Sequence, residues 1–407
     1  MGFVDDAAPI LPELIDLRRR IHAYPEVGLH LPETQAAVLD ALGGLPLEVT
    51  TGAGLSSVVA VLRGARPGPT VLLRGDMDGL PLKEESGEEF AATTGTMHAC
   101  GHDLHVAGLV GAARLLSAHR DQLAGNVVFM FQPGEESPGG ALPMIEEGVL
   151  DAAGAPVDAA FGIHVTGLVD KGVFVSRGGV NMAGANVLDV TVNGLGGHGS
   201  SPWTTVDPVP VAAEIIGALQ SYVTRRHNVF DPVVISVGQV HAGSAFNIIP
   251  STAQLACSVR TLSRESFEQV SVELPRLVES IAAAHGCTAD VDFHQLYPAT
   301  INDAGMWEHA KGVLGEVFGA GRVTDRPDPI MGSEDFSYVL ERVPGCFIHL
   351  GARPDDVPAE GAPSNHSATV RFDDAVLGDQ AAALAELAVR TLTKLASRRP
   401  VEVAAQA

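Results

Sequence analysis

The chain is 407 residues long, two to three domains' worth of sequence. Hydrophobic residues make up 46% and charged residues 18%, a composition that supplies a packed core and excludes a disordered, collagen-like or coiled-coil chain. The formal net charge is -23, with no basic stripe anywhere, which argues against a nucleic-acid or anionic-membrane partner.

Cys100, Cys257, Cys287 and Cys346 are too sparse for a disulfide scaffold and suit a reducing compartment. The opening MGFVDDAAPI has neither the basic nor the apolar region of a signal peptide. No apolar run approaches the roughly 20 residues of a membrane span, so a cytoplasmic protein is expected.

In chain order, Leu11, Leu14, Ile15, Arg18 and Ile21 fall at helical spacing, and Pro25 stops the pattern. A second helix runs from Pro32, suited to a first helical turn, to Gly43-Gly44. Strands and helices then alternate: strands at 56–62 and 70–74, a helix at 106–119, a strand at 126–131, a helix at 144–150 and a strand at 159–165. Mostly apolar strands alternating with helices predict an α/β sheet covered on both faces. The middle changes character. Residues 186–192 alternate as in a half-exposed strand, followed by a helix at 207–223, strands at 233–240 and 253–260, a helix at 264–285 and a strand at 288–294. That β-α-β-β-α-β order is a self-contained two-layer unit. The α/β pattern resumes with a helix at 303–318, a strand at 346–350 and a helix at 374–396. The expected organisation is a catalytic domain over 1–183, an inserted lid or dimerisation-type domain over 184–296, and the return of the catalytic domain over 297–407.

The polar residues of interest lie just after predicted strands: RGDMDGLP (74–81), QPGEES (132–137) and GIHV (162–165). Ligands of open α/β sheets bind outside the carboxyl ends of the strands, so Asp76, Asp78, Glu135, Glu136 and His164 are candidates for one crevice. In MHACGHDLH (97–105), Cys100 and His102 offer a thiolate and an imidazole, donors that suit zinc-like ions, with manganese, cobalt and nickel also compatible. Taken singly, Cys100 is as well read as a small buried residue, Glu135-Glu136 as a solvated turn, and His164 or His366 as ordinary histidines. Taken together, Cys100, His102, Glu136, His164 and His366 supply donors for two adjacent metals. Neighbouring glutamates on an irregular turn can then divide the labour, one binding a metal and one moving protons.

GDMDGLP, MHACGHDLH, QPGEE, GIHV, GGHGS, NIIP and GSEDF stand in the order of the aminoacylase/hippurate-hydrolase family of metal-dependent amidohydrolases, which the chain resembles from RRRIHAYPEVG (18–28) to RFDD (371–374). The group includes bacterial N-acyl-amino-acid hydrolases and plant hydrolases of indole-acetyl amino acids. The resemblance implies a two-metal aminopeptidase-like α/β catalytic domain with an inserted α+β lid. It also implies two divalent ions per chain, zinc or manganese first, bound by Cys100, His102, Glu136, His164 and His366 with Cys100 as the bridge. Glu135 would be the general base and Asp78 the carboxylate that orients a ligand. His198 in GGHGS would donate to the developing oxyanion, in some relatives from a partner subunit, so a homo-oligomer is compatible. Asn247 and Arg260 would bind substrate, the arginine fork suiting an α-carboxylate. The substrate implied is a small N-acyl amino acid. Gly332 and Ser333 are expected near the pocket, with Ser333 capping the next helix, and His22, Asp103 and His105 act as structural supports.

There are two departures from the family pattern. Trp203 follows GGHGSSP where relatives carry another histidine, which bears on pocket shape and acyl preference. Ser367-Ala368-Thr369 follow His366 where relatives show an early proline, which bears on that loop's geometry. Alternative readings are a dipeptidase or carboxypeptidase on the same metal centre, a cysteine hydrolase using Cys100 with a nearby histidine, and a non-catalytic binding protein. The cysteine hydrolase leaves Glu135, Glu136, His164 and His366 without a role.

Overall fold

The structure, a computed structural model, describes residues 2–397. The chain divides into two compact units: Met1–Gly179, Ile301–Pro327 and Tyr338–Ala407 form one, and Val180–Thr300 with Asp328–Ser337 the other.

The first unit is built on an eight-stranded mixed sheet, with its strands in the order Leu47–Thr51, Val58–Arg63, Ala124–Gln132, Arg66–Asp76, Ala159–Asp170, Gly345–Arg353, Phe174–Ser176, Val323–Asp325. The four central strands are parallel, while Leu47–Thr51 and Val58–Arg63 run antiparallel at one margin. The central strands are buried nearly throughout, as continuous apolar runs such as VVFMF require when helices cover both faces. Leu73, Phe129, Phe131, Phe161 and Ile348 are buried in the core with Leu104, Leu109 and Leu384 from the helices.

Helix His102–Ala118 starts one residue beyond the cysteine of MHACGH, after Gly101, and is buried on almost every side. Its small residues set the packing distance. A Cβ on Gly111 would stand 2.7 Å from Cβ of Ala381 in helix Val376–Ala396, so glycine is what lets the two helices approach. Gly101, just before the helix, has φ 85°, and a Cβ there would lie 2.3 Å from Val165. The sharp turn that delivers His102 therefore needs a glycine.

The second unit is a four-stranded antiparallel sheet, in the order Val234–Ala242, Thr252–Thr261, Gly184–Asn193, Thr288–Tyr297, with helices Pro208–Arg226 and Arg264–Ala284. One sheet face alternates inward (Leu188, Val190, Val192, Leu255) onto a core with Ile215, Leu219, Val270, Leu274 and Val278. Asp328–Ser337 groups with this unit rather than with the returning α/β segment expected from the sequence. Main-chain bonds between Ala183 and Ile330 (2.9 Å) and between Ile330 and Asn181 (3.0 Å) tie it there.

Candidate metal centre

The parallel strands Arg66–Asp76 and Ala124–Gln132 end level with each other, Asp76 opposite Gln132. The chain leaves the first through Met77-Asp78 and the second through the turn bearing Glu135 and Glu136, while His164 lies within the neighbouring strand, in register with His349. The carboxyl ends of adjacent parallel strands therefore present their polar residues on one rim.

Among the described residues, two groups of donors, each within 4.8 Å of one another, share one sulfur: Cys100 with His102 and His164, and Cys100 with Glu136 and His366. Cys100 Sγ lies 3.4 Å from Nε2 of His164 and 3.3 Å from Nε2 of His366. His366 Nε2 is 3.0 Å from Glu136 Oε1. Two further groups, His102 with Glu135 and Glu136, and Asp76 with His102 and His105, overlap the first two. His102 Nε2 stands 3.9 Å from both Glu135 Oε2 and Glu136 Oε1.

Electrostatics at the site follow from burial against a dense set of charges. Burial drives the His164 imidazole well below its usual pKa, with His105 adding to the effect, so it is neutral and available as a donor. Burial also raises the Cys100 thiol, and Glu136 raises it further, against His102. Glu136 is held below the usual carboxylate range because His366 and His102 outweigh its burial. Cys100 and Glu136 push His366 up to about 10. Sulfur, imidazole and carboxylate donors converge here. The buried ring nitrogens of His102 make no hydrogen bond of good geometry among the described residues, although Asp76 Oδ2 and Asp78 Oδ1 stand 3.2 and 3.4 Å away. This donor set fits divalent cations with mixed sulfur, nitrogen and oxygen ligation.

Asp78 does more than face His102. Its two oxygens accept the backbone N–H groups of Glu135 and Glu136, at 3.0 Å each, which fixes the turn that aims both glutamates. Asp76, a strand-end carboxylate with no role assigned from sequence, is completely buried. It accepts from Arg74 at 2.7 Å and His105 Nδ1 at 2.5 Å. Burial opposes its charge, but Arg74, His102 and His105 together hold the carboxyl well below its usual range. His105 Nε2 accepts the N–H of Val165 at 2.8 Å, so Nδ1 carries the ring hydrogen. His105 thereby joins Asp76 to the strand bearing His164, packing 4.5 Å from that ring. The available signal was spacing: Arg74 and Asp76 share a strand face, and His105 lies one helical turn from His102.

The remaining sequence candidates lie in the second unit. His198 and Asn247 come together on a short ribbon, His198 paired with Ile248 and the Gly199 N–H donating to the Asn247 carbonyl at 2.9 Å. The exposed His198 accepts at Nδ1 from the Ser200 hydroxyl at 2.8 Å. Arg260 is half-buried at the end of strand Thr252–Thr261 and donates to Ser333 Oγ at 3.0 Å. The expectation that Ser333 caps the next helix is corrected: that helix begins only at Ser337, and the hydroxyl serves Arg260 instead. Trp203 is 80% exposed on a 3-10 turn.

The profile of peptidase family M20/M25/M40 matches residues 72–390. A protein of Saccharolobus solfataricus named thermostable carboxypeptidase 1 is 37% identical over 96% of this chain and 98% of its own. An IAA-amino acid hydrolase of Arabidopsis thaliana is 36% identical over 96% of this chain and 88% of its own. The crystal structure of a dinuclear metal-binding peptidase of the M20 family from Bacillus subtilis superposes with a TM-score of 0.81 at 31% identity, covering 95% of this chain and 99% of that one. The chain belongs to the M20/M25/M40 family and is an enzyme of the metal-dependent amidohydrolase kind. No helix among the described residues is long and apolar enough to cross a membrane.

Proposed function

We propose that this enzyme hydrolyses the amide bond of N-acyl amino acids, releasing a carboxylic acid and a free amino acid, at a centre of two divalent cations. The observation that carries the reading is the pair of donor groups sharing Cys100, set beside Glu135 at the ends of parallel strands. Cys100, His102, Glu136, His164 and His366 would hold the cations, zinc or manganese by preference, with cobalt or nickel as alternatives. When bound, the cations supply Lewis acidity and a water of lowered pKa.

Glu135 takes a proton from the attacking water on a carboxylate oxygen and returns it to the leaving nitrogen. Asp78 keeps that carboxylate aimed by gripping the backbone of the turn. His198 donates to the developing oxyanion, a contribution typically worth about 3 kcal/mol. Arg260 and Asn247 receive the α-carboxylate end of the substrate, the planar guanidinium suiting a bidentate contact. The four cysteines are all free and buried, in keeping with work in a reducing compartment such as the cytoplasm.

The name of the Saccharolobus relative favours a second reading, cleavage of a C-terminal residue or a dipeptide, which needs the same carboxylate-binding arginine. Metal analysis of the purified protein, with hydrolysis of N-acyl amino acids and dipeptides before and after chelation, separates the readings. The expected result is about two cations per chain and turnover of acyl amino acids that is lost with chelator and restored by metal. Glu135→Gln should keep the cations and lose turnover by about 100-fold or more. Chelator-resistant activity, or a fully active Glu135→Gln, defeats the proposal.

A further inference from the structure

Asn365 takes no part in the chemistry above, yet its carboxamide touches the backbone beside several candidate ligands. Nδ2 donates to the carbonyl oxygens of Val165 at 3.0 Å and Cys100 at 3.2 Å. Oδ1 accepts the N–H of Gly167 at 3.2 Å. Both amide hydrogens and the oxygen are therefore engaged by main chain, and Nδ2 also stands 3.9 Å from Cys100 Sγ. The Val165 carbonyl also accepts from His164 Nδ1 at 2.7 Å. That bond places the ring hydrogen on Nδ1 and leaves Nε2, the nitrogen facing Cys100 Sγ, with a free lone pair.

The next residue, His366, has φ 69°, the left-handed conformation found at no other non-glycine residue among those described. Such a conformation persists only where the surroundings over-determine it. Its own N–H donates to the Ala99 carbonyl at 3.0 Å. Between the strand ending at Arg353 and the helix beginning at Val376 there is no helix or strand, so regular structure does not hold His366 in place.

We infer that Asn365 is a positioning residue of the cation centre: its carboxamide clamps the His366 loop to the backbone beside Cys100 and His164, so that donors from three separate segments keep one geometry. This rests on the reading of the site as a cation centre. An outer partner of this kind commonly governs metal affinity by about 10- to 100-fold.

The test uses the full chain with Asn365→Ala and with Asn365→Asp, the latter preserving size and the acceptor for Gly167 but turning an oxygen toward two carbonyls. Zinc affinity is measured by competition with a chromophoric chelator. The cobalt-substituted protein is read by its thiolate-to-metal absorption band, which reports Cys100 directly and which a purely structural role for Asn365 would not move. Both variants are expected to bind zinc about 10- to 100-fold more weakly than wild type and to show an altered cobalt band. Wild-type affinity together with an unaltered band in Asn365→Asp overturns the inference while leaving the cation centre standing. A wild-type protein that takes up no zinc or cobalt overturns both.

Discussion

His22 lies on the buried side of helix Leu11–His22, with Nδ1 2.8 Å from Asp103 and Nε2 3.0 Å from Glu84. Arg18, one turn earlier, donates to the same Asp103 oxygen at 2.6 Å and stacks 4.6 Å from the Phe90 ring. Burial by itself disfavours the imidazolium, but Asp103 and then Glu84 outweigh it and raise His22 to about 9. The folded protein therefore binds this proton more tightly than the unfolded chain, whose histidine titrates near 6.5. The stabilisation is complete below that value and disappears as pH rises through about 9, a contribution of roughly 3 kcal/mol by linkage. Urea unfolding of chelator-treated protein between about pH 6 and pH 10 checks this. The stability gap between wild type and His22→Gln should close with rising pH, and a gap that stays constant contradicts the assignment. Because Asp103 directly follows His102, this buried cluster also anchors the start of the helix that bears a candidate ligand.

Helix Arg264–Ala284 shows how an element of the inserted unit is specified. Ser263 caps it, accepting the Ser266 N–H at 3.0 Å, and Val270, Leu274, Val278 and Ala282 repeat every fourth residue along its buried face. Leu274 is completely buried, so Leu274→Ala should cost about 2–5 kcal/mol. The cost should fall on the inserted unit's own core, leaving the cation content of the purified protein at the wild-type level. Calorimetry with metal analysis checks this, and lost cations would show that the two cores are not independent. That helix and the apolar central strands were readable from the sequence pattern. Strand Leu47–Thr51 was not, because it is largely exposed and has no alternation. Phe174–Ser176 and Val323–Asp325 have three residues each and exist because they pair with each other across a long stretch of sequence. The site divides in the same way. Motif residues following strands were legible because sheet topology delivers strand ends to one rim. The Asp76–His105 bond and the Asn365 clamp were not, because they depend on how segments far apart in sequence meet.

Across the whole molecule, 49 acidic residues face 26 basic ones, a net charge of -23. Many basic side chains are already in close pairs, such as Arg353 with Asp170 and Lys171 with Asp355 and Asp373. Exposed pairs of this kind contribute about 0–1 kcal/mol each. The unmatched carboxylates repel one another over longer distances, and self-repulsion of a highly charged chain disfavours the compact state. Salt acts unequally on the two contributions. Raising it from about 0.01 M to about 0.15 M shortens the Debye length from about 30 Å to about 8 Å, which removes most repulsion across the molecule but only part of the attraction between charges in contact. The melting temperature of chelator-treated protein should therefore rise with sodium chloride over this range, most steeply at the low end. Chelator treatment matters because cation binding at the centre would stabilise the fold by mass action and mimic the effect. A melting temperature that falls with added salt would mean that the close pairs outweigh the summed repulsion of the excess carboxylates.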